Sequence, residues 1–324
     1  FHGPAYGTNV GLFSWDQSDV AKNKWKFNSR LEASNTIKSA AKLYHSVRCG
    51  IAPHDPRWDY HPLYDPVTEK EYSWEKDFPF KPKSVIVLLT EMDYVAMSAA
   101  PTVLADATSG QGYSDMANQA GSMAKFLRGL GYQAVAAGND LGISTAYAVA
   151  AGLGELSRAG WMIAPELGPR IRISKVYTDF DFVEYDKPRE YGVVSFCENC
   201  KRCADACPSK AIPHDDKRTF EPAYEGSEDP NYTWNNNIGV FQWHSDSKKC
   251  WQYWCESGSS CAACIAACPY NKPDFWHHRF IDAQNVIAPG WVHSAMREFD
   301  ILFGYGDINN PQKIKDFYKS GRKL

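Results

Sequence analysis

CENCKRCADACPSKAIP, residues 197–213, sets four cysteines at the spacing C-x2-C-x2-C-x3-C and follows the last with proline. A cubane iron–sulfur cluster needs four thiolates converging on one small box, and cysteines two residues apart wrap a loop around three of its corners. In the two-cluster ferredoxin pattern the cysteine before the proline ligates the other cluster. A second run, CAACIAACPYNKP, begins at Cys261 and lacks a leading cysteine of its own. Cys197, Cys200 and Cys203 are therefore expected to share one 4Fe–4S cluster with Cys268. Cys207 is expected in the other, with Cys261, Cys264 and one further thiol. Cys250 and Cys255 are the candidates for that thiol, and spacing leaves both open. Zinc knuckles or a disulfide framework would also use cysteines, but zinc sites pair C-x2-C units without the crossed Cys-Pro signature.

Working outward, the 324 residues are 44% hydrophobic, enough for one large domain or a domain with an insertion. A net charge of −3 gives no electrostatic case for nucleic acid as a partner. Cluster ligation accounts for most of the ten cysteines, so a disulfide scaffold is not needed to explain them. No run of about eighteen apolar residues is present that would read as a membrane span. The 11 Trp, 18 Tyr and 16 Phe supply flat, rigid surface suited to a large planar cofactor or an apolar substrate, although ordinary packing uses them too.

Along the chain, residues 1–80 read as mostly irregular, with APHDPRWDYHPLYDP as a turn-filled loop and KSAAKLYHSVRCG as a helix ending at Gly50. KSVIVLLTEM (83–92) reads as a buried strand. The stretch 113–132 reads as a helix with Met116, Ala120, Met123, Phe126, Leu127 and Leu130 on one face, followed by a strand in QAVAAGND. ISTAYAVAAGLGELSRAG (143–160) reads as a second helix, and RIRISKVYTDFDF alternates as a strand. These elements make an α+β fold: a pocket-forming core over 1–190, a ferredoxin-like two-cluster module over 191–275, and a C-terminal segment, 276–324, packing back on the core. There is no P-loop, and the G-x-G of AGLGELSRAG lacks the strand–turn–helix setting of a dinucleotide fingerprint.

PTVLADATSGQGYS, LRGLGYQAVAAGND, AGLGELSRAG, APELGPRIRISKVYTDF, FCENCKRCADACPSKAI and KCWQYWCESGSSCAACIAACPYNKP occur in the order seen in corrinoid-dependent reductive dehalogenases. The chain resembles that family well over 83–300 and loosely before that. The resemblance implies a nitroreductase-like core holding a cobamide in its base-off form, two 4Fe–4S clusters, and reductive removal of halide from an organohalide. It implies a catalytic tyrosine in a Tyr-Ser step that opens a helix, matching Tyr113. It also implies a pocket asparagine at Asn139 and a basic partner at Arg172 rather than Arg170. By the same resemblance Cys250, which follows lysine and precedes Cys261 by eleven residues, is the fourth thiolate of the second cluster. Trp243 falls where the family has an aromatic pocket wall, a position plain packing explains equally well. His244, His277, His278 and His293 are expected to be structural or at the surface, because the family leaves the lower cobalt face unligated.

The chemistry asks for these residue types. Cleaving a carbon–halogen bond reductively places electrons on carbon, which then needs a proton. A phenol is a poor acid at neutral pH, but a guanidinium within about 4–6 Å favours the phenolate. Arg172 would so tune Tyr113 as general acid, while Asn139 holds its oxygen or the departing halide. An epoxyqueuosine reductase-like enzyme would carry an acidic residue in place of Tyr113 and a basic face for RNA. A ferredoxin serving electron transfer alone would leave about 190 residues without a purpose. The expected substrate is a small chlorinated ethene or alkane, since aromatic-rich composition fits a tight apolar pocket. Family resemblance further implies export through a twin-arginine signal, with which a chain opening at Phe1 rather than methionine is compatible. It places the protein on the outer face of the cytoplasmic membrane, on a small membrane-anchor subunit, fed by a quinone-linked or other electron donor, and it allows a homodimer.

Overall fold

The computed structural model describes residues 20–65, 69–182, 184–220, 240–273, 275, 276, 278, 284–308 and 310–319. Its strands, in chain order, are β1 (Arg48–Pro53), β2 (Leu63–Asp65), β3 (Lys70–Tyr72), β4 (Ser84–Glu91), β5 (Ala134–Ala137), β6 (Glu155–Leu156), β7 (Met162–Ile163) and β8 (Ile171–Thr178). The helices that matter here are α1 (Arg30–Leu43), α2 (Tyr94–Met97), α3 (Val103–Gly129), α4 (Ser144–Ala150), α5 (Val193–Cys200), α6 (Arg202–Asp205), α7 (Ser247–Ser257) and α8 (Ala263–Ala266). Two further helices span Gly290–Leu302 and Pro311–Lys319.

The chain divides into two compact units. The first comprises Phe1–Glu91, Gly112–Leu153 and Arg172–Arg189; the second comprises Met92–Gln111, Gly154–Ile171 and Glu190–Leu324. The first is built on a sheet of order β1-β4-β8-β5, in which β1 runs antiparallel to β4 and β5 to β8. β4 is buried along all but its last residue and β8 along all but Arg172, as the two interior strands of the sheet. The expected apolar stripe of α3 is present, with Ala120, Met123 and Leu127 packed in one core with Ile37, Ile51, Ile86 and Leu88. Each such fully buried Met or Leu contributes about 1.5–3 kcal/mol.

Three expected element boundaries move. The first helix stops at Leu43 rather than Gly50, because His45 takes a left-handed turn (φ 63°) and Arg48–Gly50 pair with β4 instead. α3 begins ten residues before Tyr113, since the helix-forming LADA segment carries it back to Val103 and the helix tolerates Gly110. Tyr113 therefore sits inside a helix and does not open one. The helix expected over 143–160 ends at Ala150. Gly152 is left-handed (φ +68°), and a Cβ at Gly154 would meet the Ile163 carbonyl oxygen at 2.2 Å. The chain then turns back as the β6–β7 hairpin.

The expected partition at 190 coincides with the end of the first unit, but Met92–Gln111 and Gly154–Ile171 join the cysteine-bearing unit, as do the described residues after 275. Hydrogen bonds explain this. Arg158 of the hairpin reaches the carbonyls of Cys197, Pro213 and Asp215, Ser260 donates to Asp106, and Lys272 pairs with Asp300 at 2.6 Å. Among the described residues no helix is long and apolar enough to cross a membrane.

Candidate functional site

In the second unit the two cysteine runs fold alike. Lys201 (φ 56°) and Ala262 (φ 60°) are left-handed, and each starts a four-residue helix, α6 or α8. The helices carry Cys203 and Cys264 in turn, and the Cys-Pro steps at Cys207 and Cys268 follow at equal spacing. In this repeat Gly258 stands where Cys197 stands in the first copy. The nearest candidate thiol is on α7. Asp246 caps that helix by accepting from the Lys248 and Lys249 N–H groups, both at 3.1 Å, and Cys250 lies in its first turn. Glu155 anchors the start of α5 by accepting from Tyr191 N–H (2.7 Å) and Val193 N–H (2.9 Å).

The sulfurs gather in two neighbouring sets, with Cys264 acting on both. Burial pushes the Cys203 and Cys268 thiols well up, and the sulfurs of Cys197, Cys200 and Cys264 push both in the same direction. In the other set burial raises Cys264 to about 12, with Cys261, Cys207 and Cys250 adding to it, and raises Cys250 to about 11, with Cys207 and Cys261 adding to it. Cys250 thus stands among the sulfurs of the second run, whereas Cys255 is exposed. Four buried thiols that repel one another as anions can all be thiolates only around a cationic centre. Backbone N–H groups already point at the sulfurs: Arg158 to Cys197, Arg202 to Cys200, Tyr270 to Cys268, Ala263 to Cys261 and Ala211 to Cys207. The donor set fits two iron–sulfur clusters, and a small cavity is lined by Cys197, Cys200, Cys203 and Cys268 together with Cys264. Among the described residues no three His, Cys, Asp or Glu side chains close tightly enough to hold a single ion.

In the first unit three sequence-distant residues meet. Asn139 Nδ2 donates to the Tyr113 phenol oxygen at 3.0 Å. The Arg172 guanidinium lies 4.2 Å from the Tyr113 ring centre and also hydrogen-bonds its side chain. Burial pulls Arg172 below its ordinary value, and the phenol opposes that shift. The phenol oxygen thus accepts from Asn139 and lies beside the Arg172 guanidinium, where a phenolate would be stabilised. Arg170 is occupied elsewhere, donating to the Leu167 carbonyl at 2.6 Å and lying over Tyr94.

A residue that sequence reasoning missed holds Asn139 in place. Lys175, wholly buried three residues further along β8 from Arg172, donates to the Gly138 carbonyl and to Ser144 Oγ, both at 2.6 Å. Asp140 closes the same turn by accepting from Gly138 N–H at 2.6 Å. Burial pulls the Lys175 ammonium down to about 8, against the pull of Asp140 and Asp59. Its only sequence signal is a lysine in a strand that is otherwise buried along its length but for Arg172. Lys175→Met is expected to cost about 1.5–3 kcal/mol, the range for hydrogen bonds to charged groups, read as a lower denaturant midpoint at unchanged slope.

Trp243 is buried in the second unit, with its Nε1–H on the Asp215 carbonyl (3.0 Å) and its ring under Arg158 at 4.6 Å. His244 and His278 bond to the carbonyls of Thr219 and Pro273, and His293 is buried beside Phe196. His277 lies outside the described residues.

Residues 196–272 match the 4Fe-4S dicluster domain family. Over 95% of its length the chain is 40% identical to a tetrachloroethene reductive dehalogenase of Desulfitobacterium hafniense, and it spans 61% of that protein. It is 35% identical over 88% of its length to the tetrachloroethene reductive dehalogenase of Sulfurospirillum multivorans, spanning 59% of it. A solved reductive dehalogenase, presented as suggesting a mechanism for B12-dependent dehalogenation, matches 94% of this chain and 40% of its own at a TM-score of 0.75 and 24% identity. That likeness shows the fold.

Proposed function

We propose that this chain, which belongs to the reductive dehalogenase family, replaces halogen by hydrogen in an organohalide, most simply a small chlorinated ethene or alkane. The overall change takes two electrons and one proton and releases one halide: R–X + 2e⁻ + H⁺ → R–H + X⁻. The observation that carries this reading is the phenol oxygen of Tyr113 held between Asn139 and Arg172. A corrinoid, base-off in a nitroreductase-like core, would supply low-valent cobalt for carbon–halogen cleavage, with electrons relayed through the two clusters. Two buried donors of the same strand, Arg172 Nε and Ser174 Oγ, lack a hydrogen-bond partner among the described residues, and a bound polar cofactor could use them.

Tyr113 would hand its proton to the carbon from which halide has left. Arg172 and Asn139 would hold the resulting phenolate by two charge-stabilising hydrogen bonds until a proton returns. Cys197, Cys200, Cys203 and Cys268 would hold one cluster, and Cys207, Cys250, Cys261 and Cys264 the other. Arg172→Lys keeps a charge but loses the planar fork, so its turnover is expected to fall less than that of Arg172→Ala. Steady-state halide release from the two variants at equal cofactor content checks this.

By the same family likeness, the protein would work on the outer face of the cytoplasmic membrane, docked on a small anchor subunit and fed by a quinone-linked or other donor. A full-length gene product without a twin-arginine signal would overturn that placement. The activity itself is tested by reducing purified holoprotein with a viologen and measuring chloride from chlorinated ethenes, alkanes and aromatics. Chloride from the aliphatic set is the expected result; corrin absorbance with no halide release from any member would overturn the proposal.

A further inference from the structure

Arg158 is fully buried, yet no carboxylate among the described residues forms an ion pair with it. Its guanidinium is spent on carbonyls: Nε and Nη2 on Cys197 at 3.1 and 3.0 Å, and Nη1 on Pro213 at 2.9 Å and Asp215 at 2.6 Å. The Trp243 ring covers one face. Burying a cation without an ion-pair partner costs several kcal/mol, which the carbonyl dipoles and the more distant Asp216 carboxylate only partly offset. What it faces is the cage of Cys197, Cys200, Cys203 and Cys268, whose cavity it lines. Three residues along the same β6–β7 hairpin, Trp161 donates its Nε1–H to Cys264 Sγ of the other set at 3.3 Å.

We infer that the Glu155–Ile163 hairpin sets the reduction potentials of the two clusters apart, with Arg158 making the Cys197 cage the more easily reduced. The inference rests on the reading of the two thiol sets as 4Fe–4S clusters. Reducing such a cluster adds one electron, and hence one negative charge, to a cage already anionic, with no bond made or broken. Net charge and hydrogen bonds to sulfur set its potential. A whole positive charge in a buried site stabilises the reduced form more than one neutral N–H on a sulfur beside an exposed indole. The surroundings of the two cages differ in the same sense. Arg202 and Arg297 also act on Cys200, against Glu155 near Cys197 and Asp300 near Cys200, whereas the charged neighbour acting on Cys250 is the Asp246 carboxylate.

The test is a redox titration of the holoprotein followed by electron paramagnetic resonance, with dithionite or titanium(III) citrate as the electron source. Cys250→Ser, which should remove the second cluster, identifies the wave of the Cys197 cage. Arg158→Gln is expected to keep its iron and to lower that wave alone by roughly tenfold in the reduction equilibrium, about 59 mV for one electron. Arg158→Lys should restore most of the shift. Trp161→Phe should lower the other wave by less. A fully loaded Arg158→Gln protein with unshifted potentials overturns the inference. Should that variant lose iron, Trp161→Phe with unshifted potentials overturns it instead. Wild-type protein without iron or cluster signals would sink the cluster reading itself, a different outcome from clusters whose potentials do not move.

Discussion

Tyr113→Phe is expected to load corrinoid and clusters normally and to turn over roughly 10²–10⁴-fold more slowly, the usual contribution of a positioned general acid. Phenylalanine keeps the ring under Arg172 and the packing of α3, so the change removes one oxygen and its proton and little else. Asn139 Nδ2 would lose its acceptor, but Asn139 is exposed and water can replace the bond. The measurement is single-turnover halide release at matched cobalt and iron content. If a fully loaded Tyr113→Phe enzyme turns over at the wild-type rate while chemistry is rate-limiting, another group or water delivers the proton and the proposed role fails.

The second large effect concerns the fourth thiolate of the second cluster. Cys250→Ser should reduce iron from about eight atoms per chain to about four, whereas Cys255→Ser should leave it near eight. Both cysteines lie on α7, and the distinction is purely one of direction. Cys250 faces the sulfurs of Cys207 and Cys261, while Cys255 faces solvent. Iron and sulfide determination on the two proteins decides it, and the reverse pattern would reassign the ligand.

The two cysteine runs were legible in the sequence because C-x2-C loops are local, while the crossing of their Cys-Pro cysteines rests on the two-cluster pattern. The choice between Cys250 and Cys255 needed more than spacing, since a helix phase cannot be read from one cysteine pair. The buried strands were equally legible, as SVIVLLTE has no polar face to expose. Tyr113, Asn139 and Arg172 come from three separate segments, and no periodicity announces that they meet; family likeness brought them together. What stayed hidden is the β6–β7 hairpin. Small residues and the G-x-G of 152–154 resemble a close-packed helix, and the reason they cannot be one is tertiary: Gly152 and Gly154 lie against the Lys187 and Ile163 carbonyls. Arg158 was invisible for the same reason, its partners lying about forty to fifty-seven residues downstream.

The order in which the chain visits its two units bears on attempts to transplant the electron-carrying part. A boundary drawn at 190 makes residues 191–275 look like a cassette that could be fused to another catalyst. The unit that holds the thiols nevertheless includes Met92–Gln111 and Gly154–Ile171, inserted among segments of the other unit. A graft of 191–275 would leave behind Arg158, the Trp161 donor to Cys264, the Glu155 carboxylate that starts α5 and the Asp106 acceptor for Ser260. Such a fusion would carry all eight proposed ligands yet start with its first helix uncapped and its sulfurs short of two donors. The thiol-bearing unit and the unit that carries Tyr113 are therefore interleaved along the chain, and moving the first means moving at least three stretches together.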